Sequence, residues 1–438
     1  MKALESSAQE EKGPGGSGFS RSENRVLALS FAGFTVAFGV WMMYGVMGIP
    51  IRGELGLSDA QLAWLLAASA LGGALPRGPI GLLTDKYGGR VVFTALLVIV
   101  VPGAFLASYA HTYEQLLGLA VWTGLTGNTF VVGIAWNSAW FPKERQGFAL
   151  GFFGAGNVGA SATKLIAPPV IALIPTGYLA GVIPGGWRFI PILYGVVLVI
   201  MAVILWSLSP TPDRKPAARR GFVEMHRPLR EMNAWRFSYY YNVVFGAYVA
   251  LSLWLPKYYV DTFGVGLTTA ALLTASFIFP ASLLRPVGGW LADRWGPRRA
   301  TNTFLFVMIA TGIVVSIPGL ITSPYWFAAI VFAFGCGMGA GKASVYRYVY
   351  DFFPRDVGVV GGLVGQIGAF GGFIFPPLWA FALKATKMPE TTWLVILVVA
   401  ISCYGWQLAS AREEGKLEAE GRLFAGSLRR VPVAQATH

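Results

Sequence analysis

Twelve stretches of this chain are long and apolar enough to cross a lipid bilayer as helices, which limits what the chain can fold into. A spanning helix needs about 20 apolar residues, and in lipid only helices or closed barrels can bond all their backbone polar groups internally. Hydrophobic residues make up 55% of the sequence and charged residues only 13%, with a mean hydropathy of +0.57. We therefore predict an all-α membrane protein with twelve transmembrane helices. They cover approximately residues 26–50, 60–84, 91–110, 115–140, 147–173, 187–208, 237–260, 268–292, 300–320, 325–350, 358–383 and 391–411.

Lysine and arginine set the predicted orientation. In a soluble protein a formal net charge of +13 would suggest nucleic acid as a partner, which we do not predict here because the basic residues fall mostly between the apolar stretches. The connections on one side carry only Arg52, Lys384 and Lys387. By the positive-inside rule the other connections and both termini are cytoplasmic, in a cytoplasmic membrane whose anionic lipids face the basic loops. Those connections include Lys86, Arg90, Lys143, Arg145, Arg294, Arg298, Arg299 and Arg355.

The chain divides into two halves that repeat one another. We predict six helices in 26–208, a cytoplasmic central loop in 209–236, and six more helices in 237–411, between a flexible tail 1–25 and a C-terminal tail 412–438. The repeat is carried by five positions of the first half, each matched 208 residues later: Arg77, Gly81, Asp85, Gly88 and Arg90 with Arg285, Gly289, Asp293, Gly296 and Arg298. Duplicated bundles of this kind place their substrate site at the interface of the halves, near the middle of the membrane.

Two arginines at matched positions lie inside apolar runs. Leaving Arg77 or Arg285 unpaired there costs about 3 kcal/mol or more. A guanidinium donates in a planar fork that suits two oxygen atoms of one anion. We therefore predict that both arginines grip an anion between the halves. The alternative is that each side chain extends to the membrane interface.

The repeated loop resembles that of the major facilitator superfamily. Residues 81–90 match the pattern G-x-x-x-D-[RK]-x-G-x-R, and the second half repeats it. The resemblance implies the facilitator fold, with two pseudo-symmetric six-helix halves. It also implies a cytoplasmic gate latched by pairing of the loop's Asp and Arg, here assigned to Gly81, Asp85, Arg90, Gly289, Asp293 and Arg298.

A narrower resemblance is to the nitrate/nitrite porter family. Glycine-rich runs at 151–159 and 361–368 are similar to the nitrate signature of that family, with Gln366 opposite Asn157. The resemblance implies that nitrate or nitrite is the substrate and that aromatic rings close the site. By this resemblance we assign substrate binding to eight residues: Arg77, Arg285, Asn157, Tyr241, Phe130, Phe245, Gly154 and Gly365.

The spacing of polar and small residues also indicates that the fifth predicted span contributes to the anion site. Gly154, Asn157, Ser161 and Lys164 follow at steps of three and four, which places them on one face of a helix. The amide of Asn157 can donate to an oxyanion while accepting from an arginine. Its alternative role is a hydrogen bond that holds two helices together, worth about 1 kcal/mol.

Proton coupling is a second prediction. We find no Asp or Glu well inside an apolar stretch, but Lys164 and Lys342 are. Since burial in low dielectric favours a neutral amine, either lysine can titrate during the cycle and couple anion entry to a proton. The alternative is that each bonds to backbone carbonyls freed by nearby Gly and Pro.

Other classes of function find less support. The histidines (His111, His226 and His438) and the cysteines (Cys336 and Cys403) show no metal-binding spacing, so we predict no enzyme and no cofactor. Paired arginines favour an anion over a sugar, although phosphate or a carboxylate stays open, and glycine-rich, low-charge stretches favour a carrier over a channel. We predict a monomeric secondary transporter that takes up nitrate or nitrite with protons by alternating access. Nitrate/nitrite antiport is the alternative.

Overall fold

The computed structural model describes residues 20–179, 182–215, 230–353 and 357–419. Most of the predicted N-terminal tail, the middle of the central loop, the end of the C-terminal tail and Arg355 therefore lie outside the described residues.

The first half of the described chain contains ten helices. They are α1 (Arg21–Trp41), α2 (Tyr44–Leu55), α3 (Asp59–Ala74), α4 (Arg77–Tyr87), α5 (Gly89–Ser108), α6 (Tyr113–Gly124), α7 (Thr129–Trp140), α8 (Lys143–Gly154), α9 (Gly159–Leu173) and α10 (Phe189–Leu208). Single turns of 3-10 helix, Leu125–Asn128 and Ala155–Val158, join α6 to α7 and α8 to α9. A two-stranded antiparallel hairpin, β1 (Tyr178–Leu179) with β2 (Ile183–Pro184), lies in the connection before α10, where the sequence indicated no strand.

The described part of the second half contains nine helices. They are α11 (Met232–Tyr241), α12 (Ala247–Phe263), α13 (Leu267–Leu283), α14 (Arg285–Trp295), α15 (Pro297–Ser316), α16 (Pro324–Phe352), α17 (Val357–Ala369), α18 (Gly371–Thr386) and α19 (Thr391–Ala419). One turn of π-helix, Asn242–Gly246, joins α11 to α12.

The predicted all-α membrane fold is confirmed. Within the described ranges, nine helical stretches are long and apolar enough to span a bilayer, or ten if α13 and α14, bent by 41° at their junction, form one span. The two other predicted spans, 60–84 and 147–173, are also helical but interrupted, between α3 and α4 and between α8 and α9. The full count of twelve therefore stays a prediction.

Both repeated arginines are the first residue of a helix that follows a break. Arg77 opens α4 after a gap of two residues that follows α3, and Arg285 opens α14 directly after the bend at Leu284. Because the preceding turn is not regular helix, its carbonyl groups are open to side-chain donors.

A proline causes the first of these breaks. Pro76 has no N–H and so leaves the carbonyl of Gly72 without its usual helical donor. The buried side chain of Asn128 donates to that carbonyl at 3.0 Å. A polar side chain of the fourth predicted span therefore stabilises the break that positions Arg77.

The most extensive contacts between helices of the two halves are those of α3 with α18, α9 with α13, and α2 with α12. Glycine allows the close approach of α18. A Cβ atom at Gly372 would lie 2.6 Å from Cγ1 of Val249 and 3.0 Å from Cβ of Ala70. Small residues at membrane helix contacts allow backbones to come together in this way, and the arginines lie along the same seam.

Candidate functional site

Arg77 is buried and reaches from the first half into the second. Its side chain is 2% exposed. Its Nε atom donates to the carbonyl of Gly73 at 2.7 Å, and Nη1 donates to the carbonyl of Gly365 at 2.8 Å. Its Nη2 atom has no hydrogen-bond partner among the described residues. Arg77 therefore does not extend to the membrane interface, and it keeps one free donor.

Arg285 occupies the matching place in the second half. It is 5% exposed, and its Nη2 atom donates to the hydroxyl of Tyr241 at a long 3.4 Å. Its Nη1 atom, like Nη2 of Arg77, is buried with no partner in the described part of the chain. An unpaired donor on a buried charged group is costly, so each arginine is poised for one further acceptor.

The ring of Phe130 lies close to both guanidinium groups. The ring centroid is 5.7 Å from Cζ of Arg77 and 5.2 Å from Cζ of Arg285. Because both carbons lie so close to one centroid, they are at most about 11 Å apart. Both guanidinium groups are within the range of cation–π attraction, which holds them near one another although neither has an acidic partner among the described residues.

Further aromatic rings enclose the arginines. Phe245 lies 5.5 Å from Cζ of Arg77 and stacks on Phe130 at 6.1 Å and on Tyr241 at 5.1 Å. Both Tyr241 and Phe245 are fully buried. These rings exclude water, so any charge interaction between them is stronger than it would be in solvent.

Tyr346 belongs to this cluster and was missed by the sequence analysis. It meets Tyr241 edge-on at 5.0 Å, lies 5.6 Å from Cζ of Arg285, and donates from its hydroxyl to the carbonyl of Gly361 at 2.9 Å. The sequence offered one indication that Tyr346 belongs to the site. It follows Lys342 by four residues, which places both side chains on one face of a helix.

The two predicted glycines touch the arginines directly. A Cβ atom at Gly154 would lie 2.9 Å from Cδ and Nη1 of Arg285, and one at Gly365 would lie 3.6 Å from Nη1 of Arg77 and 3.0 Å from the hydroxyl of Tyr346. Side chains at these positions would occupy the space that the guanidinium groups use.

Asn157 follows Gly154 by one turn and is fully buried. Neither its side-chain oxygen nor its nitrogen has a hydrogen-bond partner among the described residues. Its carbonyl accepts from the hydroxyl of Tyr248 at 3.4 Å, and the Tyr248 ring stacks on Phe245 at 6.3 Å. Asn157 thus adds an unused donor and an unused acceptor beside the cluster. Its predicted counterpart Gln366 lies elsewhere, donating to the carbonyl of Leu75 at 3.2 Å.

The two candidate coupling lysines are buried and differ in their surroundings. Lys342 donates to the carbonyl of Ala281 at 2.9 Å and lies 3.2 Å from the ring centroid of Tyr248, so it borders the cluster. Lys164 donates to the carbonyl of Met42 at 2.9 Å, where α1 gives way to α2. Each lysine is therefore bonded to a backbone carbonyl, the alternative that the sequence left open.

Of the predicted gate residues, Asp85 and Asp293 lie in the last turns of α4 and α14, at the ends away from the arginines. Gly81 and Gly289 lie one turn after the arginines, and Arg90 and Arg298 lie in the first turns of α5 and α15. In the second half Asp293 forms an ion pair of 3.2 Å with Arg347 of α16, which was not among the predicted gate residues. In the first half Arg90 donates from Nη2 to the carbonyl of Trp206 at 2.7 Å and stacks on that ring at 4.2 Å. The gate glycines have open surroundings, since a methyl group added at Gly81 or Gly289 would meet its nearest neighbour at 3.6 Å or more. The gating role of all six residues, Asp85 and Arg298 included, stays a prediction.

The fold and the site define a carrier built from two duplicated halves. The family model of the Major Facilitator Superfamily matches residues 29–376, and this chain belongs to that superfamily. Solved structures of a bacterial homologue of the human lysosomal transporter Spinster, in inward-facing unoccupied and occupied conformations, align with a TM-score of 0.71 at 18% identity. They cover 90% of this chain and 98% of the solved chain, and show the shared fold alone.

Within the superfamily the chain groups with the nitrate/nitrite porters. It is 54% identical over 399 residues to the probable nitrate/nitrite antiporter NarK1 of Thermus thermophilus, covering 87% of this chain and 90% of that protein. It is 30% identical to the probable nitrate/nitrite transporter NarK2 of Mycobacterium tuberculosis, over 91% and 99% of the two chains. The nitrite extrusion protein of Bacillus subtilis is 27% identical, over 86% and 92%.

Proposed function

We propose that this protein carries nitrate or nitrite across a cytoplasmic membrane by alternating access between its halves. The observation that carries the proposal is the pair of unpaired guanidinium donors, Nη2 of Arg77 and Nη1 of Arg285, on two groups that both lie close to the ring of Phe130. Two buried positive charges with spare donors and no carboxylate partner among the described residues need an anion. The names of the relatives favour nitrate and nitrite among the candidates.

A small flat oxyanion suits the chemistry of this cluster. Nitrate has three coplanar oxygen atoms, and the two guanidinium groups can each donate to one of them. Asn157 offers a further donor. The rings of Phe130 and Phe245 favour a thin anion that can lie against their faces, and their burial keeps water away from it.

The same charges suggest why the halves move only when loaded. In the empty carrier Arg77 and Arg285 repel one another in a low dielectric, which opposes closing the halves around them. A bound anion removes that repulsion and bridges the halves. Such a carrier favours exchange of one anion for another, and the antiporter name of the Thermus relative is in keeping with this mode.

We expect Asn157→Leu to separate binding from stability. The change removes two buried polar atoms that have no partner among the described residues, so the unfolding temperature of the substrate-free protein should stay the same or rise, because an unsatisfied buried group costs about 1–3 kcal/mol. Nitrate affinity should fall about tenfold, by the loss of one hydrogen bond to an ion. Calorimetry of the purified protein measures both. A fall in unfolding temperature with unchanged affinity would make Asn157 a structural residue.

Proton-coupled uptake is the second mode, and it makes Lys164 and Lys342 the proton carriers. If either side chain titrates during the cycle, its replacement by glutamine should leave nitrate exchange measurable and remove the dependence of net uptake on pH. Uptake into proteoliposomes at a series of external pH values measures this. Unchanged pH dependence in both Lys164→Gln and Lys342→Gln would exclude the lysines and favour anion exchange.

Competition between anions for binding to the purified protein gives the order of their affinities. We expect nitrate and nitrite to displace one another at the purified protein, chlorate to compete as a singly charged oxyanion of similar size, and phosphate to fail because it is larger and more highly charged. Displacement of nitrate by phosphate alone would favour a carrier of another anion. In this proposal the protein works as a monomer with both termini in the cytoplasm.

A further inference from the structure

Four charged side chains meet where α2 and α12 end. Arg52 forms a double hydrogen bond with Asp261, at 2.8 and 2.7 Å, and contacts Asp59 at 3.2 Å. Lys257 contacts the same two carboxylates, Asp59 at 3.0 Å and Asp261 at 2.6 Å. Two cations and two anions thus form one closed network, which we call the ionic latch.

The ionic latch joins the two halves. Arg52 and Asp59 lie in α2 and α3, whereas Lys257 and Asp261 lie in α12. Its shortest pair of parallel hydrogen bonds crosses between the halves, because Arg52 donates both to Asp261, 209 positions away in the chain. The helices that carry it end alike, at Gly56 and Gly264 with left-handed φ of 61° and 66°.

The ionic latch lies far from the repeated loops. Lys257 follows Tyr248 by nine residues, or about 14 Å along a helix, in the direction away from Arg285 and the loop that begins at Gly289. In the proposed orientation this is the outer end of the protein, on the outer side of the arginines.

Charged pairs suit a contact that must break and re-form. The side chain of Lys257 is only 4% exposed and that of Asp261 31%, so opening this end would move them into water. Hydration then replaces most of the lost attraction, which is why exposed pairs contribute little net stability. An apolar seal of the same size would instead leave hydrophobic surface in water each time it opened.

We propose that Arg52, Asp59, Lys257 and Asp261 hold the outer end of the carrier closed and separate in every transport cycle. The inference rests on alternating access, as in the proposed function, but it concerns access and is independent of which anion is carried. Weakening the ionic latch should shift the empty protein towards an outward-open state.

A buried thiol reports this opening. Ser252 is fully buried in α12, between Tyr248 and Lys257, and Ser252→Cys is nearly isosteric. In a background with both natural cysteines replaced by serine, the rate of reaction with a bulky maleimide in detergent, without substrate, measures access. We expect Asp261→Asn to raise that rate at least fivefold and Asp59→Asn to raise it in the same direction.

The matched control is an ion pair at the same end that stays within one half. Glu54 forms an ion pair of 2.6 Å with Arg188. Glu54→Gln therefore removes a charge and a short contact but changes no residue of the ionic latch. We expect the labelling rate of this variant to stay within twofold of the parent. Equal rates in Asp261→Asn, Asp59→Asn and Glu54→Gln would overturn the proposal. If Asp261→Asn fails to fold, Asp59→Asn and Arg52→Gln decide the question.

Nitrate binding is measured separately, on the same variants. Faster labelling without nitrate binding would reject the substrate but keep the ionic latch. Nitrate binding with unchanged labelling would reject only the ionic latch.

Discussion

Arg77→Lys and Arg285→Lys should each weaken nitrate binding by about 10- to 100-fold or more. Lysine keeps the charge but replaces a planar fork by a single point donor. At least one charge-assisted hydrogen bond to the anion is then lost, at about 1.5–3 kcal/mol each. Arg77→Lys also loses the bonds to the carbonyls of Gly73 and Gly365. Titration calorimetry and proteoliposome uptake measure the effects on binding and transport.

Arg294→Lys is the matched control for these changes. Arg294 is exposed, and its guanidinium carbon lies 5.6 Å from the ring centroid of Trp290. The matching residue of the first half, 208 positions earlier, is already a lysine, Lys86. We expect nitrate affinity within twofold of the parent. Parental affinity in both Arg77→Lys and Arg285→Lys would remove the arginines from the site and with them the proposed function.

Gly154→Ala should reduce nitrate affinity by at least about tenfold. Its new methyl group would lie 2.9 Å from both Cδ and Nη1 of Arg285, closer than carbon and nitrogen atoms can approach. The guanidinium must move by several tenths of an ångström or α8 must shift, and small misplacements of a binding group carry large costs. The same measurements of binding and uptake apply.

Gly151→Ala separates this steric effect from the effect of alanine on the helix. Gly151 lies one turn earlier in α8, where an added methyl group would meet its nearest neighbour only at 3.8 Å. Both changes raise helix propensity by about 1 kcal/mol, but only Gly154→Ala crowds Arg285. Similar affinity in the two variants would show that the space beside Arg285 is not used by the anion.

Much of the candidate site followed from patterns that are local in the chain. The repeated phrase picked out Arg77 and Arg285, and the resemblance to the nitrate porters added Phe130, Tyr241 and Phe245. In the structure all five lie in one buried cluster. Their role in binding stays a prediction until the variants are measured, but the proximity that this role requires is present.

Other members of the site had no such pattern. The position that matches Tyr346 in the first half is a serine, Ser138, so the repeat did not single the tyrosine out. Among many aromatic residues in an apolar chain, one tyrosine is indistinguishable from core packing until its neighbours are known. The same applies to Arg347, which binds Asp293 from a helix that follows it in the chain by about 50 residues.

What the sequence by itself determined was the class of fold. This follows because a bilayer forces each span to satisfy its own backbone, so length and polarity along the chain are sufficient. The duplication and the anion between the halves stay predictions from the sequence. The tertiary structure alone decided which acceptors hold the buried cations and which charged residues join the ends of α2 and α12. Arg77 donates to a carbonyl 288 residues away, and Arg52 to a carboxylate 209 residues away. Such partners depend on how the helices of two halves pack, which no local pattern specifies.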